Sequence, residues 1–518
     1  TRLAVTALAL VALGVVGAGA APAAAPPSGV PGAGPPPSIR WTGCGPRLDC
    51  ARVQVPLDRE APDGPRITLA VIRRRASRPR ERVGTLFFNP GGPGVSGVDT
   101  VRSPDASRLL DQAAGGRFDL VSWDTRGSGA STHVTCFRDG AAARRFWGAS
   151  TVPTTPAASR RYLAKAIAYA RRCHERSGEL LSHISTADTA RDLDHLRDLM
   201  GLRRISYVGW SYGTFLGQTY ANMFPTRVRA MVLDGVVDAV DYTRGREASL
   251  ENSVTPTDEV FERFLALCQR AGPGRCALAG HGPVAARVDA LLSRVRRAPL
   301  PAPSATPPGR LTYGDLVTAF FPEMRNPGSW PEFARDLEAA VNGDGSALLG
   351  RARRFSPESG SAPAPVAIGC ADSPARQGTQ AWPRVIRRLT RASRFNGPLL
   401  GWWLWAPCAA WLAHSAERYT GPWNARTANP VLVVGTTHDP NTSLANARVT
   451  ARRLGNAVLL THQGYGHISF TDPSACTTRA MARYLVGLVI PGRGAVCPSD
   501  RPPFDPRFGE PPAAGSRP

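Results

Sequence analysis

Ser211 is the residue best placed to do chemistry, because it stands in Gly209-Trp210-Ser211-Tyr212-Gly213 between an apolar strand and a helix. Arg204 to Val208 reads as the strand, and Thr214 to Phe224, with Phe215, Leu216, Tyr220 and Met223, reads as the helix. A serine on such a corner needs glycine on both sides, so that backbone can crowd together without Cβ clashes. The strained turn exposes the hydroxyl, and the helix N-terminus behind it favours developing negative charge. This is the pattern of a nucleophile elbow. With 52 glycines in 518 residues the pattern alone arises easily by chance, so its meaning depends on partners elsewhere.

A serine is a poor nucleophile without a base, and the base needs an acid to fix its tautomer and support its charge. On an elbow-bearing α/β frame these partners follow in the order Ser, Asp, His. Asp439 comes just after the apolar run Val431 to Val434, and His467 sits in Gly464-Tyr465-Gly466-His467 after the next strand. Asp234, after the strand that follows the elbow, is the second candidate acid. His438 and His462 flank the same strands but lack the glycine-flexible loop of His467. A tetrahedral intermediate also needs donors for its oxyanion. The N–H of Tyr212 is one, and Gly92, within Asn89-Pro90-Gly91-Gly92-Pro93-Gly94, is the preferred second. The loop Trp123 to Gly129, with Asp124 and Arg126, is expected to brace the oxyanion loop.

Positioning these residues requires a βαβ sheet. Strands are expected at Ile67–Ile72, Thr85–Phe88, Leu120–Trp123, Ile205–Val208 and Ala230–Leu233, with a helix over Thr189–Met200. From about 240 to 424 helical segments alternate with Pro-rich loops. Strand texture then resumes at 431–434 and 457–460. The expected architecture is a mostly parallel sheet flanked by helices, with a largely helical cap inserted after the sixth strand. The expected division is a core first part over 41–240, a cap over 241–425 and a core second part over 426–498. A disordered tail is expected over 499–518.

Together Asn89 to Gly97, Asp124-x-Arg126-Gly127-x-Gly129-x-Ser131, Gly209 to Gly213, Asp439-Pro440 and Gly466-His467 resemble the α/β-hydrolase exopeptidases. Within that group the chain is most similar to secreted actinobacterial tripeptidyl aminopeptidases, relatives of prolyl aminopeptidase. The resemblance runs from about Cys44 to Cys497 and includes Ala367 to Asp372 and Trp405 to Cys408. Ser443 departs from it, where proline is expected. The resemblance implies removal of short peptides, tripeptides foremost, from free N-termini by a Ser211–His467–Asp439 acyl-enzyme route, with no metal or organic cofactor. Such an enzyme must hold an α-ammonium group, for which cap carboxylates are suited. Asp372 is the leading candidate; Glu323 and Glu332 follow. An esterase or other acyl hydrolase on the same frame is the alternative, since a triad does not choose between amide and ester.

Composition sets the context. At 42% hydrophobic and 20% charged the chain is globular. The formal charge of +23 is almost all arginine, Lys165 being the only lysine, and the arginines are scattered without an aromatic-interleaved motif. That excludes a nucleic-acid reading and fits a solvated basic surface. The apolar run Leu3 to Ala20 resembles a secretory signal, assigned to 1–20, and the Pro/Ala/Gly tract over 21–40 reads as a disordered leader. No other stretch is long and apolar enough to span a bilayer. The ten cysteines fall in sequential pairs, and neighbour pairing is the simplest disulfide connectivity in an oxidising compartment. No zinc spacing occurs. The expectation is a secreted monomer acting on peptides.

Overall fold

The computed structural model describes residues 38–148, 152–355 and 363–510. The expected signal and nearly all of the leader lie outside these residues.

Ten strands form one sheet. In chain order they are β1 (Thr42–Gly45), β2 (Leu48–Pro56), β3 (Arg66–Arg74), β4 (Gly84–Asn89), β5 (Phe118–Trp123), β6 (Ile205–Trp210) and β7 (Val228–Asp234). After the two short cap strands β8 (Leu300–Ala302) and β9 (Gly309–Leu311) come β10 (Val431–His438), β11 (Ala457–Tyr465) and β12 (Val496–Pro498). The spatial order is β1-β2-β3-β5-β4-β6-β7-β10-β11-β12. The strands from β5 to β12 run parallel, and β1, β2 and β3 join them antiparallel. This is an α/β-hydrolase sheet.

Alternate residues of each central strand feed opposite faces, as the pleat requires. In β4, Phe87 packs with Trp123 and Tyr207 on one side, while Leu86 and Phe88 pack with Val208, Val232 and Leu432 on the other. The helix Thr186–Leu199 starts where Ser185 and Asp188 form a reciprocal capping box. The parallel core gathers its chemistry at one place, the C-terminal ends of β4, β6, β7, β10 and β11.

Between β7 and β10 the chain builds a mostly helical cap, from Ala239–Arg244 to Ala406–Cys408, with the β8–β9 hairpin as its sheet element. By chain order the cap thus follows the seventh strand instead of the sixth, since the edge strands β1 and β2 precede the five strands read from the sequence. Its interior is aromatic: Phe261, Phe264, Phe320, Phe333 and Phe395 are buried against one another.

The expected disordered tail needs correction over 499–510. Phe504 is buried, with its ring 6.0 Å from that of Phe264 and 6.3 Å from that of Trp330. The Asp500 carboxylate accepts the N–H of Ala475, capping the helix Ala475–Gly487. Five disulfides join Cys44–Cys50, Cys136–Cys173, Cys268–Cys276, Cys370–Cys408 and Cys476–Cys497, the neighbour pairing. Among the described residues no helix is long and apolar enough to cross a membrane.

Candidate active site

Ser211 follows β6 directly and has φ 54° and ψ −124°, before the helix Tyr212–Met223. That conformation costs a non-glycine residue on the order of 1–3 kcal/mol, so its surroundings must enforce it. They do so by close packing. A Cβ on Gly209 would lie 2.3 Å from the Gly213 carbonyl oxygen, and one on Gly213 would lie 2.4 Å from that of Asn89. The Ser211 N–H donates to the Asp234 carbonyl at 3.0 Å, and the Thr214 hydroxyl donates to the Ser211 carbonyl at 2.6 Å.

His467 and Asp439 meet at the ends of β11 and β10. The imidazole Nδ1 lies 3.0 Å from Asp439 Oδ1 and 3.1 Å from Oδ2. Asp439 also accepts the N–H groups of Asn441 and Thr442, each at 2.9 Å, the Thr442 hydroxyl at 2.8 Å and the Ile468 N–H at 3.2 Å. Burial alone would raise the Asp439 pKa, but His467 and these donors hold it below the ordinary carboxylate value. Burial lowers the His467 pKa, Asp439 opposes this, Arg325 adds to it, and the net direction is down. The pair is therefore a carboxylate beside a neutral imidazole, the state a general base needs. Among the described residues no hydrogen bond joins Ser211 to His467, a looseness common before substrate is seated.

Asp234 does not reach His467. Its carboxylate accepts the N–H of Ser469 at 3.1 Å and its hydroxyl at 2.7 Å, and burial pushes its pKa up to about 6. It holds the loop two residues past the histidine. His438 stacks on Tyr465 and lies 3.1 Å from Glu259, while His462 is buried 3.4 Å from Asp472.

The cap reaches this loop as well. The His467 N–H donates to the carbonyl of Arg325, the last residue of the cap helix Tyr313–Arg325, at 2.8 Å. Gly466 has φ +89°, and a Cβ there would meet Pro327 Cδ at 2.5 Å. Only glycine allows that approach.

Gly92 and Tyr212 border the same cavity as Ser211 and His467. Asn89 Oδ1 accepts the Gly91 N–H at 3.0 Å and sets the turn after β4. Asp124 braces that loop, accepting the Ser96 hydroxyl at 2.7 Å and the Val98 N–H at 3.1 Å. Arg126 points away from it, to a fully buried pair with Asp192 at 2.7 Å. The Tyr212 hydroxyl bonds Thr186 Oγ1, and Thr186 gives both its hydroxyl and its N–H to Asp372, each at 2.7 Å.

That geometry corrects the expectation for Asp372. Its carboxylate is buried behind Tyr212, is absent from the cavity lining, and is pushed by burial to a pKa of about 7. Glu323 and Glu332 are likewise elsewhere, both paired with Arg351, at 2.7 and 3.0 Å. The carboxylate that does line the cavity is Asp238, four residues past the end of β7. Its Oδ1 accepts the Val240 N–H at 2.9 Å and Arg453 at 2.6 Å, leaving Oδ2 without a described donor. The rule that sites form at the C-terminal ends of parallel strands could have found it. Arg246 and Arg325 also line the cavity, and nothing in the sequence separates them from the other arginines. The cavity measures about 270 Å³; Leu250, Phe321, Phe355, Leu400 and Trp403 make most of its wall apolar. Among the described residues no group of three or more His, Cys, Asp or Glu is placed to hold a metal.

Known proteins match this arrangement over most of the chain. A model of the alpha/beta hydrolase fold matches residues 84–269, and one described as TAP-like protein matches residues 397–497. The serine protease Hip1 of Mycobacterium tuberculosis is 30% identical over 484 residues, covering 89% of this chain and 91% of Hip1. The chain belongs to the TAP-like family of α/β-hydrolases. The tripeptidyl aminopeptidase of Streptomyces coelicolor is also 30% identical, over 481 residues, covering 89% of this chain and 86% of its own. Carboxylesterase B of M. tuberculosis is 31% identical over 464 residues, 86% of each chain. As a TAP-like protein the chain is a serine hydrolase, and the relatives carry peptidase and esterase names alike.

Proposed function

We propose that the protein is a serine peptidase that releases short peptides, tripeptides foremost, from free N-termini. The observation that carries the reading is the Asp439–His467 pair at 3.0 Å bordering a capped cavity that also holds Ser211. The Ser211 hydroxyl gives its proton to His467 Nε2 as its oxygen bonds the substrate carbonyl carbon. The N–H groups of Gly92 and Tyr212 receive the oxyanion. The C–N bond then breaks, and His467 passes the proton to the departing amine. Water, deprotonated by the same imidazole, releases the acyl peptide and restores Ser211.

Two features favour an exopeptidase. A cavity of about 270 Å³ under a cap accommodates a short segment and excludes a folded chain. Asp238 Oδ2 offers a carboxylate oxygen for the substrate ammonium, the role first given to Asp372. Five disulfides suit an oxidising compartment and support export.

The apolar wall favours a second reading, an esterase. The test is an assay of the purified protein, with Ser211→Ala as control, on free and N-blocked tripeptidyl p-nitroanilides and on p-nitrophenyl esters. Ser211-dependent cleavage of free but not N-blocked anilides is expected. Ester cleavage alone would replace the peptidase reading with the esterase.

A further inference from the structure

Arg246 and Arg325 have no task in the reaction as derived, yet both border the cavity in which it occurs. Arg246 is 3% exposed and its Nε has no hydrogen-bond acceptor. Among the described residues neither guanidinium has a carboxylate within 4.0 Å. Other buried arginines of this protein are matched: Arg126 meets Asp192 at 2.7 Å, and Arg351 meets Glu323 at 2.7 Å and Asp336 at 2.5 Å.

The carboxylates near Arg246 are engaged elsewhere. Glu247 accepts the N–H groups of Arg376 and Gln377 and the indole of Trp405, and Asp372 is held by Thr186. Arg325 rests its guanidinium 5.2 Å from the centre of the Phe321 ring, and its charge is felt by His467 and Asp439. A guanidinium does not escape burial by losing its proton; buried Arg246, answered only by the Tyr242 hydroxyl and by the more distant Asp372 and Glu247, and half-buried Arg325, answered only by Asp439, have no ion pair of their own and can take an anion. The cavity's own carboxylate, Asp238, is already paired with Arg453.

We propose that Arg246 and Arg325 form an anion-receiving wall, and that the preferred substrates carry a carboxylate which this wall binds beside the scissile bond. The inference rests on the peptidase reading for the form of the substrate, a peptide with an acidic side chain or its own C-terminal carboxylate. A planar guanidinium matches either group through paired N–H···O bonds.

The test compares substrates of equal shape and different charge. One arm uses free-N-terminal tripeptidyl p-nitroanilides with Glu or Gln at each position in turn, which carry no C-terminal carboxylate. The other uses a neutral tetrapeptide as its free acid or its C-terminal amide. Each pair is measured on wild type, Arg246→Gln, Arg325→Gln and Arg325→Lys. The readout is the ratio of kcat/KM within a pair, which cancels any loss of folded protein in a variant. The expected wild-type ratio is about tenfold or more in favour of the charged member in one arm, and that arm identifies the source of the carboxylate. Either Gln variant should bring it close to one, with Arg325→Lys retaining part of it. Ratios near one in both arms, or a ratio that survives both Gln variants, would overturn the proposal. If no peptide is cleaved, the peptidase reading has failed by itself. The same comparison is then made with mono-p-nitrophenyl glutarate and its methyl ester, and equal rates there would overturn the anion wall.

Discussion

Replacing Asp439 by Asn separates the two candidate acids and tests the geometry at the level of single hydrogen bonds. Asp439 Oδ1 is held by two backbone donors, Asn441 and Thr442 N–H, which cannot reverse. In Asp439→Asn the amide oxygen must stay there, so the NH2 group takes the place of Oδ2. It then faces the Ile468 N–H, a donor at 3.2 Å, and His467 Nδ1 at 3.1 Å. The hydroxyl of Thr442 can rotate to accept from the new NH2; the imidazole Nδ1, 3.0 Å from the amide oxygen and 3.1 Å from the NH2, must choose between donating to the first and, with its proton moved to Nε2, accepting from the second. The second tautomer directs a hydrogen, not a lone pair, toward Ser211, and in either one the negative charge that supports the imidazolium is gone. The expected loss is about ten-thousandfold in kcat, or about 5 kcal/mol of transition-state stabilisation. Stability should change far less, by about 1–2 kcal/mol for the one donor–donor contact. The assay is kcat/KM on an activated ester, normalised to folded protein by thermal melting, with Asp234→Asn alongside. Asp439→Asn retaining more than about a tenth of the activity while Asp234→Asn loses it would refute the assignment and the tautomer argument with it.

Other perturbations test other parts. Gly466→Ala forces a Cβ to within 2.5 Å of Pro327 and 2.9 Å of the Arg325 carbonyl at φ +89°. It should cost about 2–4 kcal/mol in denaturant melts and lower kcat at least about tenfold. Because burial depresses the His467 pKa, the acid limb of kcat/KM should lie below 6.5. In Arg325→Gln the limb should move upward, since a positive neighbour is removed; a pH–rate profile on a neutral substrate reads both. Asp372 is buried to a pKa of about 7 against 3.8 when unfolded, so the folded state holds the extra proton between those values. Its contribution is thus present at acid pH and lost as pH rises through about 7, a change of about 4 kcal/mol. Asp372→Asn should flatten that part of the stability–pH curve.

The parts of the site that were legible in the sequence are those where backbone geometry restricts residue type. Ser211 needs Gly209 and Gly213 because each glycine touches another backbone oxygen, and His467 needs Gly466 because the cap lies against it. Asp439 and His467 could be located because strand ends are marked by apolar runs. The cavity wall was not legible in this way. Asp372 is legible in the sequence as a cap carboxylate, but which way a helical side chain points depends on how the cap packs, and this one faces Thr186. Asp238 and Arg325 come together from segments 87 positions apart in numbering, with no local pattern to join them. The strands β1 and β2 were missed because a hairpin at the sheet edge alternates Arg52 and Gln54 with Val53 and Val55, a weaker signal than a doubly buried strand. The order over 499–510 rests on Phe504 and on the hydrogen bonds of Ser499 and Asp500, long-range contacts in a stretch whose prolines otherwise resemble a linker.

The bond from His467 N–H to the Arg325 carbonyl has a consequence for modularity. Cap insertions are commonly treated as interchangeable attachments to a hydrolase frame, free to be trimmed, transplanted or diversified for new specificities. Here the graft boundary does not coincide with the ends of the insertion, since a piece of the cap serves as bedding for the histidine loop. A chimera that exchanges the cap must bring along a carbonyl and a proline in the same place, or choose a loop that can do without them. Specificity and competence are therefore heritable together in this architecture, and changes selected for one will be filtered by the other.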